Sequence, residues 1–179
     1  MLTELLFPGI AGVHVDTVVV AAQMPHLYVS TTAASSRCPL CHTASAAVHS
    51  RYWRTLADLP CGGRVVTLHL RTRRFFCRVS SCRCRIFTER LPALMAPWAR
   101  RTRQLDAHLL HDALDVGGAP GARHAAAQGT PISPTTLLRL VHALPLPPVG
   151  SVQVLGVDDF ARRRGQTSAV ICRSRLAVP

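Results

Sequence analysis

Four cysteines at two short spacings are the residues of this chain best suited to chemistry. Cys38 and Cys41 form a Cys-x-x-Cys pair, and Cys77 and Cys82 form a looser Cys-x4-Cys pair after a gap of 35 residues. Four thiolates hold Zn²⁺ tetrahedrally when two such pairs lie on neighbouring β-turns. The spacing therefore predicts a structural zinc site formed by these four residues.

The remaining cysteines leave alternatives open. The chain has seven cysteines, and an odd number favours metal ligands or free thiols over a disulfide framework. Cys84 is an alternative to Cys82, while Cys61 and Cys172 have no paired neighbour and are interpreted as ordinary thiols. A set of buried free thiols is the alternative to zinc. The run from Cys38 to His42 also fits c-type haem attachment, but that attachment follows export, and the N-terminus lacks the basic start of a secretory signal.

The charge of the chain points to a polyanionic partner. All 21 basic residues are Arg, against nine acidic residues, for a net charge of +12. Residues 51–103 hold 13 of the Arg and only Asp58 and Glu89 as acidic residues. Cations that neutralise phosphates gain affinity by counterion release, so nucleic acid or an anionic membrane surface is expected. Because Pro8 and Asp16 interrupt the apolar N-terminus, we expect no membrane span and a cytoplasmic protein.

The zinc ligands and much of this charge are placed by β-structure. Alternating residues at 13–20 and 27–31 predict a hairpin that turns at Met24-Pro25-His26. After a turn at Cys61-Gly62-Gly63, a strand over 65–76 places Val66, Leu68 and Leu70 on one face and His69, Arg71 and Arg73 on the other. We expect the arginines of 51–103, and above all Arg71 and Arg73 of this basic stripe and Arg74, to contact DNA phosphates.

Helical spacing replaces this pattern from Trp98 onward. A first helix over 98–116 places Leu105, Leu109, Leu110 and Leu114 on one face, and a second spans 121–128. A third begins with Ser133 as N-cap and Pro134 at its first position, and runs to about Leu144. Two short helices around a Gly-containing turn suggest a helix-turn-helix. Its candidate DNA-contacting residues are Thr135, Thr136, Arg139 and His142.

Arg139 is the best candidate among these to contact a base edge. The alternative for the whole set is a solvated helix surface. A Pro-rich linker follows at 145–151, and a buried-type strand over 152–157 then delivers Asp158 and Asp159 at its tip.

Five segments together resemble the ISL-three family of insertion-sequence transposases. They read HSRYWRTLADLP at 49–60, RRFFC at 73–77, RIFTERLP at 85–92, SPTTLLRL at 133–140 and VLGVDDFARRRG at 154–165. The resemblance implies an N-terminal zinc-binding domain that uses Cys38, Cys41, Cys77 and Cys82. It further implies a helix-turn-helix that recognises the element's terminal repeats, and a ribonuclease-H-like domain in which three carboxylates hold two divalent metals.

The chain departs from this family pattern at two places. Cys61 stands where the family usually has Trp, and the resemblance stops after Gly165. Two-metal phosphoryl transfer needs carboxylates on several elements, but no Asp or Glu follows Asp159. By family position Asp158 is the expected metal ligand, with Asp159 as the alternative, in an incomplete site. Mg²⁺ or Mn²⁺ is therefore expected only in an intact parent enzyme.

The sequence thus predicts an α+β protein that binds double-stranded DNA at element ends without cutting it. The expected parts are a β-rich, zinc-ribbon-like domain at 1–97, a helix-turn-helix region at 98–144, a linker at 145–151, the start of a truncated catalytic domain at 152–165 and a divergent tail at 166–179. A second copy or an intact transposase is the expected protein partner. The alternatives are a stand-alone regulator of transposition and a non-functional remnant, the latter because the last strand has no sheet partner in sight.

Overall fold

The computed structural model describes residues 2–145 and two further strands, at 155–159 and 170–174. Contacts divide the chain into two compact units, Met1–Ala143 and Leu144–Pro179. No helix in the described part is both long and apolar enough to cross a membrane. The elements in chain order are α1 Leu2–Leu6, β1 Val13–Ala21, β2 Met24–Thr31, β3 Ser36–Arg37, β4 Ala44–Ser45, β5 Val48–Cys61, β6 Arg64–Phe76, β7 Ile86–Thr88, α2 Arg103–Val116, α3 Gly118–Ala127, α4 Pro134–His142, β8 Leu155–Asp159 and β9 Val170–Ser174.

The first unit is built on a five-stranded sheet. Its strand order is β1-β2-β6-β5, and β7 pairs with the end of β6. β2 and β6 run parallel, whereas the other pairs are antiparallel. The alternation of the predicted strand is confirmed: Val66, Leu68 and Leu70 are buried, and Arg71 is exposed. Each such leucine contributes roughly 2 kcal/mol by burial.

The two hairpin turns show which local signals were sufficient. The predicted turn between β5 and β6 is confirmed, since Gly62 and Gly63 both have positive φ. The turn between β1 and β2 lies at Ala22 and Gln23, with φ of 49° and 63°, and not at residues 24–26 as expected. Two consecutive left-handed residues form a type I′ turn, whose twist matches the paired strands. Pro25 is therefore a strand residue, paired with Val20.

Three helices form a second core next to β5. Leu105, Leu109 and Ala113 from α2 pack with residues of α3 and with Leu137 of α4. The prediction that α2 starts at Trp98 was wrong: its N-cap is Thr102, whose side chain accepts a hydrogen bond from the Leu105 amide. Its inner face was also misplaced in part, because Leu114 is 58% exposed while Asp112 is buried.

The ends of α3 and α4 follow from glycine and capping chemistry. α3 begins at Gly118, three residues earlier than predicted, directly after the left-handed Gly117. A Cβ at Gly121 would lie 3.2 Å from the Leu137 side chain, so glycine permits the close approach of α3 and α4. The predicted start of α4 is confirmed, with Ser133 as N-cap and Pro134 at the first position.

The second unit shows one strand pair in its described residues. β8 and β9 pair antiparallel, with Asp158 opposite Ile171 and Asp159 opposite Val170. The expectation that the strand before Asp158 lacks a sheet partner was therefore wrong, because a strand in the divergent tail supplies one. Most of the predicted linker, from residue 146 onward, lies outside the described residues, as do 160–169.

Candidate metal centre

The four predicted zinc ligands meet at one point of the first unit. The Sγ atoms of Cys38, Cys41, Cys77 and Cys82 all lie within 4.8 Å of one another. Cys41 Sγ and Cys77 Sγ are 3.6 Å apart, and Cys38 Sγ and Cys82 Sγ are 3.9 Å apart. These distances exclude an S–S bond of about 2.05 Å. They match the edges of a tetrahedron with Zn–S bonds of about 2.3 Å.

The first cysteine pair is held by a tight turn between β3 and β4. The Cys38 amide donates to the Thr43 carbonyl at 3.0 Å, and the His42 amide donates to the Cys38 carbonyl at 2.9 Å. His42, directly after Cys41, adopts φ of 59°. That left-handed residue reverses the chain, so both thiols point to the same side of the turn. Arg37 and Ala44 then pair across the small ribbon.

The second pair lies in the connection from β6 to β7. The Cys77 amide donates to the Arg85 carbonyl at 2.9 Å, and the Cys82 amide donates to the Val79 carbonyl at 3.1 Å. Cys84 lies outside the four-sulfur group, and its thiol donates to the Ile86 carbonyl. The geometry thus favours Cys82 over Cys84 as the fourth ligand. Cys61 is exposed at the distant hairpin turn.

The thiols do not ionise equally without a cation. The backbone amide of Cys41 is the main cause that lowers the pKa of Cys38 to about 6, and the amide of Thr43 likewise lowers the pKa of Cys41. The Val79 amide acts to lower the pKa of Cys77, but burial and the neighbouring thiols outweigh it and raise that pKa to about 12. A divalent cation would supply the charge that lets all four ionise, so the donor set fits Zn²⁺.

Aromatic packing closes the centre from the interior. Phe75 and Phe87 are buried against Cys38, Cys77 and Cys82, with their rings stacked at 5.9 Å. This small core contains little besides these groups, so the metal would stabilise most of the local fold.

The predicted basic stripe on β6 divides into two kinds of arginine. Arg71 and Arg74 are exposed, and the Arg74 guanidinium lies 4.7 Å from the centre of the Tyr52 ring. Arg73 is 14% exposed and forms an ion pair with Glu89 at 2.6 Å. Of the three arginines predicted to contact phosphates, Arg71 and Arg74 are therefore exposed to solvent, whereas Arg73 is bound to Glu89 within the protein.

The candidate recognition residues lie on α4, away from the zinc ligands. Thr135, Arg139 and His142 are exposed, and Leu137 is buried beneath them. Thr136 is half-buried, and its hydroxyl lies 2.8 Å from Ser133 Oγ at the helix cap. For the candidate metal ligands Asp158 and Asp159 the structure gives only backbone pairing within β8, so their role stays a prediction.

Sequence reasoning included one further group of arginines in the basic segment 51–103 but did not predict that they come together. Arg54, Arg90 and Arg100 are distant in sequence, yet they line the same groove as Arg74. No local pattern unites them, because they lie on β5, after β7 and just before α2. Trp98, which is exposed at this groove, could have indicated the site. The sequence pattern instead placed it in a predicted helix.

Comparison with known families adds an independent observation. Residues 34–84 match the family model described as the zinc-finger of transposase IS204/IS1001/IS1096/IS1165. The matched segment contains both cysteine pairs. The match supports the resemblance of this chain to the N-terminal part of an ISL-three family transposase. Searches of curated proteins and of solved structures return no match.

Proposed function

We propose that this chain is the DNA-binding part of an insertion-sequence transposase and that it binds duplex DNA at the ends of the element. The observation that carries this proposal is the four-sulfur cluster within the segment that matches a transposase zinc-finger. A structural Zn²⁺ at that cluster would fix the end of β6 and thereby the arginines beside it.

Phosphate contacts are proposed for exposed arginines of β6 and of the connection that carries the second cysteine pair. Arg71 and Arg74 are three positions apart on β6. Their side chains lie on opposite faces of the strand, because successive side chains alternate between the two faces. Other exposed arginines, such as Arg78, Arg83 and Arg85, surround the second cysteine pair. Contacts of this kind position a protein on DNA without reading the sequence.

Sequence recognition is proposed for α4. It presents Thr135 from its first turn and Arg139 from its last turn to solvent, while Leu137 anchors the helix to α2 and α3. Such an arrangement suits a recognition helix whose outer residues reach base edges in the major groove. The proposal includes that α3 and α4 together bind DNA as a helix-turn-helix.

The test is a titration of zinc-loaded protein with duplex DNA at several salt concentrations. Log affinity should fall by about 0.9 per log unit of salt for each phosphate contacted. The double variant Arg71→Ala/Arg74→Ala should reduce that slope by about 2. Binding that does not respond to salt would overturn the proposal.

A metal-binding role for Asp158, with Mg²⁺ or Mn²⁺, is proposed only for an assembled catalytic domain. The support is the resemblance of residues 154–165 and the position of Asp158 near the end of β8. Cleavage and strand transfer by two-metal chemistry would require further carboxylates from other elements.

A further inference from the structure

A groove of about 800 Å³ lies between the sheet and the segment that connects β7 to α2. Arg54, Arg74, Arg90 and Arg100 line it, and all but Arg54 are exposed. Among the described residues of the lining, Glu89 is the one acidic side chain, and it is buried and paired with Arg73. The groove therefore carries an uncompensated positive charge, which suits a polyanion.

Trp98 gives this groove an exposed aromatic surface. Its side chain lines the groove, yet the residue is 88% exposed. Its φ is 62°, a conformation that bulky L residues adopt only when the surrounding structure imposes it. An indole held in water with a strained backbone has no role in the core, since it contributes little burial.

The segment that carries Trp98 is held on both sides. Before it, the amides of Leu94 and Met95 both donate to the Leu91 carbonyl, and both residues are buried. After it, Arg54 Nη2 donates to the Ala99 carbonyl at 2.7 Å, and the Ala57 amide donates to the Arg100 carbonyl at 2.8 Å. The indole is thus presented by a fixed segment, with Arg54 as a positioning residue.

We propose that this groove binds an unpaired DNA strand, with a base stacked on Trp98 and phosphates held by Arg90 and Arg100. The proposal rests on the proposed function and names a further form of its substrate. An indole can stack only on a base whose face is exposed, and a duplex keeps those faces within its own stack. The volume of the groove also falls in the class of about 300–1,000 Å³ that holds small ligands, which suits a nucleotide or two.

The two tryptophans of this chain provide a matched pair for the test. Trp53 is 53% exposed and lies on β5, where it does not line the groove. Single-tryptophan variants, Trp53→Phe and Trp98→Phe, isolate the fluorescence of each indole in the full zinc-loaded chain. A short oligothymidylate should quench the emission of Trp98 and leave that of Trp53 unchanged.

Affinity measurements complete the experiment. Trp98→Gly removes the ring and relieves the backbone, and should weaken binding of oligothymidylate roughly tenfold or more, the loss expected for one stacked base. Trp53→Ala should leave it unchanged, and both variants should keep the zinc content and duplex affinity of the parent. Arg90→Ala/Arg100→Ala should lower the salt slope for the single strand by about 1.4, at about 0.7 for each phosphate.

The outcomes separate this inference from the proposed function. Parent protein that binds duplex but not oligothymidylate would overturn the inference alone, as would Trp98→Gly protein that binds the single strand like the parent. Parent protein that binds neither form of DNA would overturn both.

Discussion

Arg73 and Glu89 form a largely buried ion pair that joins β6 to the segment after β7. Arg73 Nη2 lies 2.6 Å from Glu89 Oε1, and Arg73 Nε donates to Glu89 Oε2 at 3.1 Å. Arg73 also donates to the Ala33 carbonyl, and Glu89 accepts from the Thr31 hydroxyl at 3.0 Å. This network connects three segments beside the metal centre, so Arg73 acts within the fold and is not free for DNA.

Replacing Arg73 should therefore affect stability more than DNA binding. Arg73→Ala leaves the buried Glu89 carboxylate unpaired and should lower the free energy of unfolding by about 3 kcal/mol. Arg71→Ala, two residues away on the same face, should change it by less than about 0.5 kcal/mol and should weaken duplex binding. Chemical denaturation and DNA titration of both variants measure these effects. Equal stability of the two variants would contradict the role given to Arg73.

Zinc content should distinguish Cys82 from Cys84. The protein should bind one Zn²⁺ per chain, and Cys41→Ser or Cys82→Ser should lose it together with the local fold around Phe75. Cys84→Ser is the matched control, because Cys84 lies outside the group of four sulfur atoms and its thiol donates to a backbone carbonyl. Metal analysis of the purified variants is the measurement. If Cys82→Ser retained zinc and Cys84→Ser lost it, Cys84 and not Cys82 would be the fourth ligand.

Zinc affinity should fall as the pH falls. In the metal-free cluster the pKa values of Cys77 and Cys82 are raised above the ordinary thiol value, so at pH 7 both must release a proton when Zn²⁺ binds. Affinity should then fall at least a hundredfold for each pH unit, one factor of ten for each proton released.

The slope should steepen below about pH 6, where Cys38 also becomes protonated. The sign follows from zinc binding only the thiolates: the zinc-dependent stability is present at high pH and is lost toward acid. Competition with a chelator of known pH dependence, between pH 5 and 8, measures the slope. An affinity that is constant over this range would argue against four thiolate ligands.

Arg139 should contribute to sequence preference more than to general affinity. If its guanidinium reaches a base edge, Arg139→Ala should cost about 1–3 kcal/mol on the preferred duplex and much less on other duplexes. The side chain is exposed on α4, so folding and zinc content should be retained. The measurement is the affinity of Arg139→Ala and of the parent for a terminal-repeat duplex and for a scrambled duplex. An equal loss on both would make Arg139 a phosphate contact.

Features with a local cause could be predicted from the sequence. The Cys38–Cys41 spacing, the buried alternation of β6, the glycine turn before it and the Ser133-Pro134 helix start all depend on residues a few positions apart. The start of α2 could not be predicted in this way. Thr102 is its N-cap, and its hydroxyl also donates to Asp58, which lies 44 residues earlier on β5. A tertiary contact therefore helps to set the start of the helix after Thr102 and not at Trp98.

The sequence by itself determined which residues can bind a metal or a phosphate, since that depends on side-chain chemistry and short spacings. Only the tertiary structure decided how they are used, because strand pairing and burial bring together residues distant along the chain. The parallel pairing of β2 with β6, for example, places Thr31 and Ala33 beside Arg73 and Glu89. In the same way, the fold pairs Arg73 of the basic stripe with Glu89. It also brings Arg54, Arg90 and Arg100 to the groove that Trp98 lines.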